Sequence, residues 1–147
     1  MSLKERLLED MKAAMKEKDS VRKDAIQMVR TAILQTEKDN RITLEDDGVI
    51  EVIAKEVKKR KSILPEYEKS GRQDLIDKLK YEIEVLTGYL PQQLTEDELE
   101  EIVREVVREI GAGSPADVGR VMKAVMPKVS GRADGKTVNE IVKRILK

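Results

Sequence analysis

The 147-residue chain contains no cysteine and no histidine, and together these two absences remove most catalytic chemistry. Without thiols there is no disulfide, no thiolate nucleophile and no zinc-finger site. Without imidazole there is no side chain that ordinarily titrates near neutrality, and no Ser/His/Asp or Cys/His arrangement. What remains is carboxylate or lysine chemistry, carboxylate-bound magnesium, or no chemistry of the chain's own. Phe and Trp are also missing, and Tyr67, Tyr81 and Tyr89 all lie in the first two thirds. The last third therefore has no aromatic face on which to stack an unpaired base. No apolar run is long enough to span a bilayer, and the MSLKERLLED start is charged where a signal peptide carries its apolar segment. The expected compartment is the cytoplasm, with no membrane partner, no cofactor and no resident metal.

Charge and helical periodicity are what the chain has in abundance. Lysine plus arginine and aspartate plus glutamate number 29 each, so 39% of the residues are charged and the formal net charge is zero. Apolar residues recur at helical spacing almost everywhere and nowhere alternate as a strand would, which predicts an all-α protein. A first helix over 3–16 places Leu3, Leu7, Met11, Ala14 and Met15 on one side. Asp19 or Ser20 caps a second that carries Val21, Ala25, Met28, Val29 and Ala32 towards Lys38. Thr43 with Asp46 offers an acidic variant of the capping box for a third, with Ile50, Ile53, Val57 and Leu64 inward and Pro65 bending or ending it. Ser70-Gly71 is a stop signal, and Leu75, Ile76, Leu79, Ile83 and Leu86 mark a fourth helix ending near Gly88.

The LPQQL segment at 90–94 is the expected domain boundary, because proline disfavours a helical residue before it and Thr95-x-x-Glu98 opens a new capping box. Leu99, Ile102, Val103, Val106 and Ile110 face inward on a fifth helix that ends at Gly111-Ala112-Gly113. Ser114 caps a sixth with Pro115 at its first position, which shows Val118, Val121, Met122 and Val125 inward and stops at Pro127. A seventh begins near Asp134 and buries Val138, Ile141, Val142 and Ile145. The expectation is a four-helix N-terminal domain over 1–90 and a three-helix tail domain over 95–147.

Charge is sorted within that tail. Its first helix holds seven carboxylates (Glu96, Asp97, Glu98, Glu100, Glu101, Glu105, Glu109) against Arg104 and Arg108. From Gly111 onward Arg120, Lys123, Lys128, Arg132, Lys136, Lys143, Arg144 and Lys147 stand against Asp117, Asp134 and Glu140. Two readings remain open: solvated helix faces, or a dipolar module with a basic face aimed at phosphates. On the phosphate reading the contacts are Arg120 and Lys123 opposite the apolar stripe of the sixth helix, Lys128 and Arg132 on the loop, and Lys136 and Lys143 on the seventh. Lys55, Lys58, Lys59, Arg60 and Lys61 form a second basic cluster, of which at most Lys55, Lys58, Lys59 and one neighbour share a patch. The 131–137 segment GRADGKT ends like a phosphate-binding P-loop, but has three residues between its glycines instead of four and Ser130 where the first glycine belongs. It reads as a tight turn into a helix N-terminus, where Asp134 competes with any anion. Carboxylate pairs such as Asp46 with Asp47 or Glu82 with Glu84 read as solubilising rather than as a general acid and base. Asn139 reads as a hydrogen-bonder to the preceding loop, and Met122 and Met126 as core fillers.

The string GRVMKAVMPKVSGRADGKTVNEIVKRIL resembles the C-terminal signature of YqeY proteins, whose small domain is similar to the tail domain of the B subunit of the glutamyl/aspartyl-tRNA amidotransferase. LKERLLEDMKAAMKEKD, VRKDAIQMVRTAI, EVIAKEVKKRKSILPEYEKSGRQDL and YLPQQLTEDEL extend the resemblance over essentially the whole chain. It implies a larger helical N-terminal domain and a three-helix tail, joined near Pro91, with the tail contacting tRNA while other domains do the chemistry. The matching motif residues are Gly119, Val121, Met122, Lys123, Gly131, Ala133, Lys136, Val138 and Asn139. The chain departs from the amidotransferase tail at Asp134-Gly135, where that tail commonly has an asparagine-proline pair. The function this implies is a tRNA-binding accessory protein of the glutamine amide transfer (carbon–nitrogen ligase) system, without a catalytic site of its own. The alternative is a protein–protein adaptor docking on an amidotransferase subunit or another translation factor. A nucleotide hydrolase at the 131–137 turn, or an amidotransferase in its own right, is the third reading.

Overall fold

The first turn of a helix leaves N–H groups without partners, and a short polar side chain just upstream can accept one of them. Four helices begin this way in a computed structural model that describes Met1–Lys147. Ser2 caps α1 (Leu3–Lys16), Asp19 caps α2 (Ser20–Asn40), Thr95 caps α5 (Glu96–Ile110) and Asp134 caps α7 (Gly135–Ile145). The others are α3 (Asp46–Ser70), α4 (Gln73–Thr87) and α6 (Val118–Val129), the last preceded by a 3-10 turn at Pro115–Asp117. There is no strand, so the protein is all-α as the periodicity predicts. Gly71 and Gly111 end α3 and α5 at φ +71° and +67°, left-handed positions that cost glycine nothing.

Pro127 does not stop its helix as the sequence suggests, and of the two outcomes read for Pro65, bending or ending, the structure excludes the ending. Pro65 and Pro127 lie inside α3 and α6, which run on to Ser70 and Val129. Both are exposed, so water can serve the carbonyl that each leaves unpaired. The Thr43 capping box does not form either. The Asp46 carboxylate accepts instead from the Leu3 backbone N–H at 3.0 Å, tying the start of α1 to the start of α3.

The chain divides into two compact units, Met1–Leu90 and Pro91–Lys147. The N-terminal unit packs α1 to α4 around Leu7, Ala25, Ile26, Val29, Ile33, Val49, Val52, Ile53, Val57, Leu86 and Tyr89. Met15 and Met28, assigned inward from spacing, are 57% and 53% exposed. The inward stripe of α2 runs instead through Ala25, Ile26, Val29 and Ile33. Polar contacts fix the rim. The Lys4 ammonium and the Leu44 N–H both donate to Glu37. The Tyr89 hydroxyl donates to Asp10, and the Arg6 guanidinium lies 4.6 Å from the centroid of the Tyr89 ring. Burial, with the Asp10 carboxylate beside it, pushes the Tyr89 hydroxyl well above the ordinary phenol range.

Arg60 and Glu56 are the charged exceptions in this core, only 6% and 8% exposed. Arg60 Nη1 donates to the Glu56 carboxylate and to the Glu56 carbonyl, both at 3.1 Å, and its Nε lies 3.8 Å from Glu82 Oε2 on α4. Its Nη2 reaches the Met28 sulfur on α2 at 3.5 Å, so one guanidinium links three helices. Removing one member of a buried ion cluster leaves the others charged without compensation, which costs more than replacing the whole cluster. Arg60→Ala should therefore lower the unfolding free energy by about 3–5 kcal/mol. The combined change R60M/E56L/E82L should recover most of that loss, both read from denaturant melts.

Candidate nucleic-acid interface

The tail unit is built on valine. Leu99, Val103 and Val106 of α5, Val121, Val125 and Val129 of α6, and Val138, Ile141, Val142 and Leu146 around α7 form its core. β-Branched side chains have one strongly preferred rotamer in a helix, so the three stripes lock with little side-chain freedom left to lose. Met122, Met126 and Ala133 pack at the edge of this core. Among the motif residues, Val121 is fully buried and Gly131 takes φ +75°, a left-handed turn position. Gly119 is exposed, and a Cβ there would meet nothing within 4 Å.

Packing α5 beside α6 and α7 decides which cations stay available. Arg144 reaches Glu96 at 3.3 Å and Glu100 at 3.1 Å, while Lys128 lies 3.5 Å from Glu109. Arg120 pairs with Asp117 at 3.2 Å. Lys128 also sits in the last turn of α6 and not on the following loop, because the helix passes through Pro127. Lys123, Lys136, Lys143 and Lys147 are exposed and engage no carboxylate. The tail ammonium groups left without a carboxylate are thus Lys123 on α6, Lys136 and Lys143 on one stripe of α7, and Lys147 just beyond its end.

Arg132 is half-buried and has a structural job. Its Nε donates to the Gln92 carbonyl at 3.1 Å, and its own carbonyl accepts from the Leu94 N–H at 2.9 Å. The Gln93 side chain donates to the Gly131 carbonyl at 2.8 Å. Residues 92–94 are in this way strapped onto the 131–132 turn. Sequence reasoning assigned that loop to Asn139, whose side chain makes no hydrogen bond to it, and missed Gln93. The only available signal was the polar pair after Pro91, which reads equally well as a linker.

At the P-loop-like turn Asp134 caps α7, its carboxylate accepting from the Lys136 N–H at 3.4 Å. An anion at that helix end would face this carboxylate. Asp117, the last residue of the 3-10 turn, reaches back instead, its carboxylate accepting from the Gly113 and Ser114 N–H groups at 3.0 and 3.3 Å. N–H donation from Gly113, helped by Ser114 and by the charge of Arg120, holds its carboxyl below the usual range. The hydrogen bond from Arg104, with Arg144 beside it, does the same for Glu100. The carboxylate pairs considered for acid–base chemistry have structural roles too, Asp46 at the start of α1 and Glu82 beside Arg60. No group of three or more acidic side chains is placed to hold a metal ion, and no helix is long and apolar enough to cross a membrane. Of the second basic cluster, Lys55, Lys58, Lys59 and Lys61 are exposed on α3, whereas Arg60 is buried.

Comparison with known proteins matches the family model described as Yqey-like protein over residues 4–146. The chain is 27% identical over 144 residues to altered inheritance of mitochondria protein 41, mitochondrial, of Pyrenophora tritici-repentis, covering 96% of this chain and 79% of that protein. It is 37% identical over 84 residues to the protein of the same name from Kluyveromyces lactis, covering 56% of this chain and 45% of that one. With the Candida glabrata protein of that name the identity is 35% over 92 residues, covering 58% and 48%. The match thus spans about half the length of these two yeast relatives.

Two outcomes follow from the tail geometry. Arg132→Ala should destabilise the tail by about 0.5–1.5 kcal/mol, the net value of a hydrogen bond. Lys136→Ala should change it by less than about 0.5 kcal/mol, both measured by denaturant titration. The carboxyl pKa values of Asp117 and Glu100 are lower in the folded than in the unfolded chain, so their contribution is complete above the ordinary carboxylate range. It is lost as the pH falls through the lowered values. Acid titration followed by circular dichroism should show the tail weakening below about pH 4, with a shallower acid dependence in Asp117→Asn.

Proposed function

The chain belongs to the YqeY family, and on that premise we propose that it is a tRNA-binding accessory protein with the chemistry residing elsewhere. The observation that carries this reading is the set of exposed lysines Lys123, Lys136, Lys143 and Lys147, which remain unpaired after α5 has engaged Arg144 and Lys128. With no aromatic residue in the tail, the contact is with backbone phosphates and shape, not with stacked bases. Arg120 and Lys128 can exchange their carboxylates for phosphates, since both pairs are exposed and such pairs are worth little. Arg132 contributes mainly by holding the turn through its bond to the Gln92 carbonyl. Glutamine-dependent amide transfer on tRNA, the carbon–nitrogen ligase system to which the tail's sequence is similar, is the reaction setting that fits this role. The cytoplasmic placement belongs to the same proposal, the relatives named above being described as mitochondrial.

One observation favours the adaptor reading as a second. A groove of about 260 Å³ in the N-terminal unit is lined by Leu7, Leu8, Ile33 and Leu34, with Lys4, Glu5, Arg30 and Glu37 around it. Leu34 is 64% exposed there. Leu34→Glu should abolish co-purification of an amidotransferase subunit if that reading holds, and leave RNA binding unchanged.

The tRNA reading is tested by fluorescence anisotropy with tRNA between about 50 and 200 mM salt. Log affinity should fall linearly with log salt, by about 0.7–0.9 per phosphate contact. K123E/K136E/K143E should weaken binding at least about tenfold and flatten that slope by about two. A flat salt profile in the wild type would exclude the proposal. Incubation of the pure protein with ATP, glutamine and mischarged tRNA should yield no amidated product.

A further inference from the structure

We propose that α3 carries a second contact for the RNA backbone, formed by Lys55, Lys59 and Lys61. The proposal rests on the tRNA-binding reading above and extends it to the N-terminal unit. Between Ala54 and Pro65 the chain holds a single carboxylate, Glu56, and the fold draws it inside. Arg60, the one arginine of the stretch, goes in with it. Glu82 of α4, which otherwise would offer a second negative charge nearby, is turned onto the same guanidinium. The carboxylates nearest this stretch are thus committed to Arg60, and every exposed charge from 54 to 65 is positive.

At about 100° per residue Lys55, Lys59 and Lys61 sweep about 160° of the helix circumference, along about 9 Å of its axis. Lys59 lies 3.7 Å from Glu56, yet its side chain is 74% exposed and the ammonium remains in water. The chemistry of this face selects its partner. Protein-binding surfaces rely on desolvated aromatic, Met and Arg anchors, and lysine is depleted from them. This face has lysines, Ser62, whose hydroxyl is already committed to the Lys59 carbonyl at 2.8 Å, and no aromatic residue. Rotatable ammonium point charges on flexible stems suit a row of phosphates, which they can follow without a fixed geometry.

The test uses the full-length chain with two sets of changes, K55E/K59E/K61E on α3 and K123E/K136E/K143E in the tail, each titrated with tRNA at several salt concentrations. The α3 set should lower the slope of log affinity against log salt by about two and weaken binding about tenfold or more at low salt. The matching K55Q/K59Q/K61Q set should give a smaller loss of the same kind. Melting temperatures equal to the wild type's establish that the fold is intact, as expected for exposed side chains. Wild-type affinity and slope in both α3 sets, with the tail set impaired, would overturn this inference and leave the tRNA reading standing. That is also the outcome expected if the face served an acidic protein. Absence of tRNA binding by the wild-type chain would overturn both.

Discussion

A guanidinium taken out of water has to be met by carboxylates, and the arrangement of the N-terminal unit turns on how Arg60 satisfies that demand. Glu56 approaches from the same helix, Glu82 from α4, and the Met28 sulfur of α2 closes the remaining side. Three helices are therefore referenced to one planar group, in a core that is otherwise aliphatic apart from Tyr89. Aliphatic stripes alone tolerate sliding by a turn. A charged group with defined partners does not, because each displacement leaves a buried charge uncompensated.

The same preference recurs across the molecule. Arg6, Arg22, Arg60, Arg72, Arg104, Arg120 and Arg144 all hold carboxylates, whereas Lys55, Lys61, Lys123, Lys136, Lys143 and Lys147 hold none. A planar fork with five donors matches a carboxylate in two places at once, while an ammonium is better hydrated and less selective. Arginine accordingly takes the larger share of the carboxylates, with Lys4, Lys23, Lys59 and Lys128 also paired, and the remaining named lysines face the solvent. In a chain of zero net charge, this division leaves positive surface without an excess of basic residues in the composition.

Helix content was legible in the sequence, since seven apolar stripes, the caps Asp19, Thr95 and Asp134 and the two left-handed glycines Gly71 and Gly111 all follow from local chemistry. What was not legible depended on the environment of single residues. Pro127 reads as a stop, and Pro65 as a bend or a stop, because their effect on the backbone is certain, but their exposure, which makes the effect tolerable, is a tertiary fact. Met28 fits an inward stripe by spacing, yet it is half exposed, with its sulfur 3.5 Å from Arg60 Nη2. Arg60 sits in a run of lysines that reads as one solvated face, and only the positions of Glu56 and Glu82 distinguish it. In the tail, the charge sorting was visible, but which basic residues α5 would engage was not. Lys128 and Arg144 were separated from Lys136 and Lys143 by packing alone.

The strap formed by Gln92, Gln93 and Leu94 on the 131–132 turn changes where the tail begins as a physical object. By helix boundaries it starts at Thr95, and the residues before it look like spacer. By hydrogen bonding it starts earlier, because the carbonyls of Gly131 and Arg132 have their donors in that stretch. A protein carved at Thr95 would lose those donors and release the turn that leads into α7. Grafting the tail onto another protein, or excising it for separate use, therefore requires the LPQQL segment to travel with it. What reads as punctuation between two modules is the first clause of the second.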